Sequence, residues 1–276
     1  MVQGDSVHKI AQTGFGNGTN ELYDRARPSY PSDALKYIRQ EVAASGSLDI
    51  VEVGSGTGIF TRAILAHPDW ATAVGKITAV EPSEGMRGIF NNSVQDERVS
   101  CQNGSFENTG VTNHSADLVI VAQAFHWCRD YDAAAAEFSR ILKPGGIVAL
   151  IWNLEDRESA PWVAQVRDLI EQFEQGTPQF RLDLWRALFR TKSFESLFHP
   201  HKERSWLYPL VGSLDIVIDR AMSKSYVAVQ SEDIKATIKA DITEIVNRGD
   251  GKQWIDGDKG LFEYPYKTLV VVFQRK

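Results

Sequence analysis

The 276 residues carry 30 basic and 36 acidic side chains, a formal net charge of −6, with 43% hydrophobic and 24% charged residues. That balance builds a packed core, leaves little room for a long disordered tract, and offers no positive field to nucleic acid or anionic lipid. Two cysteines, Cys101 and Cys128, are too few for a disulfide framework or a multi-cysteine zinc site and are read as reduced thiols.

The start, MVQGDSVHKI, lacks a basic-then-apolar leader, and no apolar run approaches about 20 residues, so a cytoplasmic protein without a membrane span is expected. Residues 1–20, rich in Gly, Thr and Asn, read as a mobile arm, with order expected from about Leu22. After Pro31, the residues Ala34, Leu35, Tyr37, Ile38 and Val42 recur at helical spacing, predicting a helix from Ser32 to Ala44.

Apolar bursts at Leu48–Val53, Lys76–Val80, Asp117–Val121 and Ile147–Trp152, with a weaker one at Val99–Gln102, alternate with helical patterns at Ile59–His67, Gly85–Asn91 and Tyr131–Leu142. Alternation of this kind predicts a parallel sheet flanked by helices. Pro144-Gly145-Gly146 ends the last of these helices. Beyond Trp152 the spacing predicts helices over Trp162–Phe189, Leu214–Ala221 and Ile234–Val246, and strands over Lys202–Leu210 and Thr268–Gln274. His199 and His201 flank Pro200 without a third ligand nearby, so no metal is expected.

The chemistry concentrates in Val51-Glu52-Val53-Gly54-Ser55-Gly56-Thr57-Gly58, at a strand-to-helix turn. Glycines there let the backbone N–H groups approach a nucleotide-like ligand, because no Cβ intervenes. The spacing G-x-G-x-G is not the dinucleotide G-x-G-x-x-G, and no Lys-Ser/Thr follows, which removes a P-loop. The next strand ends in Glu81-Pro82-Ser83, where a carboxylate can accept both hydroxyls of a ribose; alone, Glu81 reads equally well as an acidic strand end.

Together, the glycine loop and Glu81 resemble motif I and the following strand of class I S-adenosylmethionine-dependent methyltransferases of the type 11 kind. The segment Ala116–Trp127, ending Ala124-Phe125-His126-Trp127, resembles the fourth-strand motif of small-molecule methyltransferases related to the trans-aconitate enzymes. Tyr23-Asp24-Arg25-Ala26-Arg27-Pro28-Ser29-Tyr30-Pro31 resembles their N-terminal strap, and Tyr264–Thr268 their closing segment. The fold this implies is α/β: a Rossmann-like, seven-stranded, mostly parallel sheet with one antiparallel strand, helices on both faces, and a helical lid built from C-terminal insertions. Its divisions would be an arm and cofactor-binding core over 1–156, a lid including one sheet strand over 157–255, and a closing core strand over 256–276.

The same resemblance implies S-adenosyl-L-methionine as cofactor, held by Tyr23, Arg27, Glu52, Gly54, Ser55, Gly56, Glu81, Pro82, Met86, Ser105, Phe106, Gln123, Ala124 and Trp127. Many relatives have Asp where this chain has Ser105. Met86, Phe106 and Trp127 read equally as packing residues, and Arg27 as a solvated cation or as a clamp for a carboxylate. His126 is the candidate catalytic group, either a base or anchor for the acceptor or a structural histidine. Tyr30, Trp152, Ser225 and Tyr226, with Ser223, are candidates for the acceptor pocket. The expected reaction is methylation of a small molecule, led by O-methylation of a carboxylic acid, by a monomer or homodimer with no nucleic-acid partner. A protein or RNA acceptor, or the fold without methyl transfer, are the competing readings.

Overall fold

A computed structural model describes residues 19–276, so the expected N-terminal arm falls almost wholly outside the described residues. The strands are β1 (Leu48–Val53), β2 (Val74–Val80), β3 (Val99–Gln102), β4 (Ala116–Ala122), β5 (Leu142–Glu155), β6 (Lys202–Leu207), β7 (Leu210–Gly212), β8 (Trp254–Asp256), β9 (Leu261–Tyr264) and β10 (Tyr266–Gln274). The helices used below are α1 (Thr19–Ala26), α2 (Ser32–Glu41), α3 (Ile59–Ala66), α4 (Pro68–Ala71), α5 (Glu84–Ser93), α6 (Tyr131–Ile141), α7 (Pro161–Glu171), α8 (Lys192–Leu197), α9 (Leu214–Met222), α10 (Ser225–Ala228) and α11 (Glu232–Arg248).

Seven strands form one sheet in the order β3-β2-β1-β4-β5-β10-β6. Neighbours from β3 to β5 run parallel, and β10 runs antiparallel to both β5 and β6. Alternate residues of the inner strands enter opposite layers, as the period-2 geometry of a strand requires. Ile50, Leu118, Ile120 and Ile151 pack against α2, α3 and α4. Val51, Val119, Val121 and Leu150 pack against α6 and α8. Burial on both faces is why these strands read as unbroken apolar runs.

A third cluster lies apart from these layers, where Trp162, Val163 and Ile170 of α7 meet Val217 of α9, Ile238 and Ile242 of α11, and Phe262 of β9. It includes a small sheet, β7-β9-β8, that nothing in the sequence pattern predicted. Because β9 places Phe262 and Tyr264 in that core, residues up to Tyr264 side with the lid, and the closing strand begins at Tyr266 rather than in a unit starting at 256.

Other boundaries also move. The predicted helix over Trp162–Phe189 stops at Glu171, because Gln175 and Gly176 take positive φ ahead of Pro178 and the chain continues in short 3-10 turns. The helix over Tyr131–Leu142 ends at Ile141, and β5 starts at Leu142 instead of after the Pro-Gly-Gly segment. That segment is a bulge: Ala116 pairs with Leu142, but Leu118 already pairs with Ile147. The helix from Ser32 ends at Glu41, short of Ala44.

The strand ends are fastened by one buried residue. Asn153, on β5, accepts from the Thr268 hydroxyl of β10 at 2.7 Å, donates to the Ser29 carbonyl at 2.8 Å, and offers its own carbonyl to Gln123 Nε2 at 2.9 Å. It therefore ties the segment after α1 and the end of β4 to the sheet. These are the elements that carry the candidate site.

Candidate functional site

The glycine loop leaves β1 at the carboxyl edge of the sheet, where open α/β folds bind ligands. Gly54 has φ +73°, and a Cβ there would stand 2.7 Å from Ala124 Cβ, so the loop and the end of β4 can approach this closely only through glycine. Gly56 has φ +55°, and its Cβ direction meets nothing within 4 Å. Its N–H donates to Glu81 Oε2 at 2.9 Å, while Ser83 N–H donates to Oε1 at 2.8 Å. Glu81 is thus fixed at the end of β2 with two of its roughly four acceptor positions engaged, leaving both oxygens able to accept a hydroxyl. Burial pushes its carboxyl above the ordinary range, opposed by those two backbone donors and by the Arg87 charge.

A cavity opens beneath this loop, walled by Tyr23, Arg27, Tyr30, Glu52, Gly54, Ser55, Gly56, Thr57 and Gln123. The Thr57 hydroxyl is buried here without a protein partner among the described residues. An open glycine backbone, a paired strand-end carboxylate, a buried hydroxyl and a guanidinium form a donor and acceptor set that suits an adenosyl amino acid.

Glu52 lies in this wall at 1% exposure, accepting from the Thr61 hydroxyl. Burial raises its carboxyl to about 8, against the Thr61 hydrogen bond that lowers it. A folded-state value above the ordinary 4.5 means stability is full below that pH and is lost as pH rises through about 8. Glu52→Gln should therefore melt a few degrees above the parent at pH 8 and close to it at pH 5, as followed by circular dichroism. Equal melting at both pH values would show that Glu52 is ionised in the fold.

A second cavity adjoins the first and shares Tyr23, Arg27 and Gln123 with it. Gln123 takes φ +58° at the end of β4, held by its backbone bond to Ile151 and its side chain on Asn153. The wall continues with His126, Trp127, Ser225 and Tyr226. Over the junction lies α1. Asp24 pairs with Arg62 of α3 at 2.6 Å, Arg25 with Asp219 of α9 at 3.1 Å, and Arg27 donates to the Ser223 carbonyl at 2.9 Å. Arg62 also donates to the Thr57 carbonyl at 2.8 Å, linking the strap to the glycine loop.

His126 accepts at Nδ1 from the Trp152 indole N–H, 3.3 Å away. Since indole can only donate, the ring proton sits on Nε2. Burial, then the Arg27 and Lys224 charges, lower the imidazole to about 3. The ring is therefore neutral at physiological pH and presents Nε2–H as a donor, an arrangement that suits the anchor or structural reading of His126.

Several other assignments change place. Trp127, expected on the cofactor, lines the second cavity, while Tyr30, expected on the acceptor, lines the first and sits edge-on to Phe60. Trp152 lies behind His126, fully buried between Phe180 and Trp185, and belongs to neither wall. Ala124 faces Gly54. Glu81, Pro82, Met86, Ser105 and Phe106 are not in the wall of the first cavity. Ser105 accepts at its hydroxyl from Asn108 N–H and closes its own turn, and Phe106 packs edge-on against Phe125 beside the loop. Met86 is buried in the first turn of α5.

Sequence reading missed the charged members of the second wall: Arg167, Glu171, Glu174, Arg181, Arg220 and Lys224. Arg167 with Glu171, and Arg220 with Lys224, stand four residues apart, a spacing that reads on paper as a solvated helix face. Among the described residues there is no group of three or more His, Cys, Asp or Glu that could hold a metal, and no helix is long and apolar enough to cross a membrane.

Comparison with known proteins bears on this geometry. Residues 51–150, from the glycine loop through β5, match the methyltransferase domain family. An uncharacterized methyltransferase-like protein of Schizosaccharomyces pombe is 33% identical over 176 residues, covering 63% of this chain and 65% of that one. A second, an uncharacterized methyltransferase from the same yeast, is 36% identical over 155 residues, covering 56% and 58%. The chain thus spans less than two thirds of the length of these relatives. The YcgJ protein of Bacillus subtilis superposes with a TM-score of 0.57 at 16% identity over 89% of this chain and 99% of its own. A protein of Anaeromyxobacter dehalogenans named as a type II methyltransferase gives 0.57 at 20% identity over 90% and 96%. Residues 51–150 match the methyltransferase domain model, and the sheet built around them shares its Rossmann-like fold with these solved structures.

Proposed function

We propose that the protein is an S-adenosylmethionine-dependent methyltransferase whose acceptor is a small carboxylic acid, methylated on oxygen. The observation that carries this reading is the pair of adjoining cavities that share Tyr23, Arg27 and Gln123, one under the glycine loop and the other lined by cations. S-adenosylmethionine, when bound, would supply an electrophilic methyl group on a sulfonium centre, transferred in line to an oxygen nucleophile with S-adenosylhomocysteine as the leaving group. Gly54, Ser55, Gly56 and Glu81 would hold the nucleoside, and Arg27 a carboxylate at the junction.

What the chain must do is hold two reactants in line and keep water out, because proximity and desolvation supply most of the acceleration in such a displacement. Tyr23, Arg27 and Gln123 stand where the two reactants would meet. A carboxylate is already ionised at neutral pH and needs no base, which agrees with a neutral His126 offering Nε2–H to the acceptor oxygen.

Calorimetric titration with S-adenosylmethionine and S-adenosylhomocysteine, followed by mass spectrometry of reactions with a panel of small mono- and dicarboxylic acids, tests the proposal. Saturable binding and methyl esters of at least one acid are expected. Cofactor binding with no ester from any acid removes the acceptor class. Failure of a folded protein to bind either nucleoside removes the enzyme reading itself.

A further inference from the structure

Five rings line the second cavity, those of Tyr23, His126, Trp127, Phe180 and Tyr226, and they offer their faces and edges to a planar acceptor. Lys224 lines it too, and its neighbour sets its place. Arg27, which borders both cavities, donates to the Ser223 carbonyl at 2.9 Å, and Lys224 is the next residue. Around the amine stand Glu155 of β5, Arg220 of α9, Arg167 of α7, Arg27 after α1, Glu174 beyond α7 and His126 after β4. Arg181 pairs with Glu171 and Glu174, and Arg167 with Glu171, so these four largely neutralise one another. Glu155 is left to serve two cations, Arg220 Nε at 2.7 Å and Lys224 Nζ at 3.0 Å. Where two buried cations share one carboxylate, the lysine is the one that gives up a proton, because a guanidinium stays charged. Burial, then the Arg220 charge, lower the Lys224 amine to about 7 against the pull of Glu155.

Arg220 supplies the complementary part. It is 2% exposed, and its Nε is taken by Glu155 and the Tyr266 hydroxyl. Its Nη1 is buried with no hydrogen-bond partner among the described residues. A buried, ionised donor without an acceptor is costly, and native folds rarely retain one without a use. A neutral hydroxyl matches such a donor poorly, whereas an oxyanion matches it well. Side by side in one wall are therefore a nitrogen able to take a proton and a fixed donor for the oxygen left behind.

We propose that Lys224 is a general base for a further class of acceptor, planar phenols and enols, methylated on oxygen in the second cavity. This rests on the reading of that cavity as the acceptor site. Lys224 Nζ, as the free amine, takes the hydroxyl proton: the O–H bond breaks, an N–H bond forms, and the new ammonium is paired with Glu155. The acceptor oxygen, held at Arg220, uses the electron pair left by that proton to bond the methyl carbon. The carbon–sulfur bond breaks with it, S-adenosylhomocysteine leaves, and the ammonium returns its proton to water. An acceptor that enters as a protonated amine is repelled by the same cations.

The test compares 4-methylphenol, whose hydroxyl ionises near about 10 as that of tyrosine does, with pentafluorophenol, which is already ionised at neutral pH. Mass spectrometry of reactions with S-adenosylmethionine should find methyl ethers of both from wild type. The 4-methylphenol rate should rise about fivefold from about pH 6 to about pH 7, as the amine loses its proton. Lys224→Arg keeps a cation for Glu155 but stays protonated. It should erase that rise and lower the rate ratio of 4-methylphenol to pentafluorophenol at least about tenfold, and Lys224→Met should do the same. Carbon-13 NMR of protein labelled at lysine Cε gives a readout independent of turnover: one resonance should titrate near about pH 7 in wild type and be missing from Lys224→Arg. Retained affinity for S-adenosylhomocysteine checks that both variants fold. An unchanged ratio in both variants, or no lysine titrating below about pH 9, overturns the base. Esters from carboxylic acids with no ether from either phenol overturn this inference and leave the acceptor site standing, whereas neither product from a protein that binds the cofactor removes both.

Discussion

Gly56→Arg is expected to weaken binding of S-adenosylmethionine and S-adenosylhomocysteine at least about 100-fold, a loss of about 2.7 kcal/mol, in a protein that still folds. The expectation follows from two properties of one position. A Cβ at residue 56 would meet nothing within 4 Å, so the substitution starts without a clash, and because Gly56 lines the cavity a long cationic side chain there competes with a ligand. Positive φ adds strain of about 1–2 kcal/mol, too little to unfold a domain of this size but enough to shift the Gly56 N–H away from Glu81. Titration calorimetry read beside thermal melting separates the two effects. Wild-type affinity in the variant would mean that the nucleoside does not cross this loop.

Trp152→Ala should produce the largest loss of stability, about 3–5 kcal/mol, seen as a fall of roughly 10 °C in Tm. Trp152 is wholly buried in β5, with Phe180 stacked at 4.8 Å and Trp185 at 4.6 Å, so truncation empties a space lined by rings on separate segments. Trp152→Phe separates packing from polarity. It keeps most of the volume but removes the indole N–H that His126 Nδ1 accepts. Stability should fall far less, while methyl transfer drops about tenfold, equivalent to about 1.4 kcal/mol, as the ring loses its fixed orientation. A Phe variant with full activity would show that the orientation of His126 does not matter to the reaction.

The glycine loop and Glu81 were legible because their pattern is local: a strand, a glycine turn and a helix follow one another from Leu48 to Ala66, and the next strand ends just before Glu81. The inner strands were legible because burial on both faces makes them continuous apolar runs. The second cavity was not. Arg27 was marked as a candidate, but its charged companions Arg167, Arg181 and Arg220 come from separate segments, and each looks individually like a surface charge. The sheet β7-β9-β8 was missed because strands of three or four residues carry no usable period. The helix that stops at Glu171 failed at Gln175-Gly176-Thr177-Pro178, where backbone geometry overrides an apolar spacing that continues beyond it. Trp152 and Tyr30, both candidates for the acceptor pocket, lie respectively behind His126 and in the wall of the first cavity, placements that only the packed layers decide.

The strap α1 has a consequence for how the chain matures during synthesis. Its anchors lie far downstream: Ser29 reaches Asn153, Arg25 reaches Asp219 and Arg27 reaches Ser223. Domains form in the order in which the ribosome releases them, so the strap emerges first and waits for partners made near the end. A nascent chain released as far as residue 200 would own the lining of the first cavity and the Asp24–Arg62 and Ser29–Asn153 contacts, yet would lack Asp219 and Ser223, which fasten the strap on the lid side. The second cavity, which needs Arg220, Lys224, Ser225 and Tyr226, is completed only once α9 and α10 have been made, well after the lining of the first.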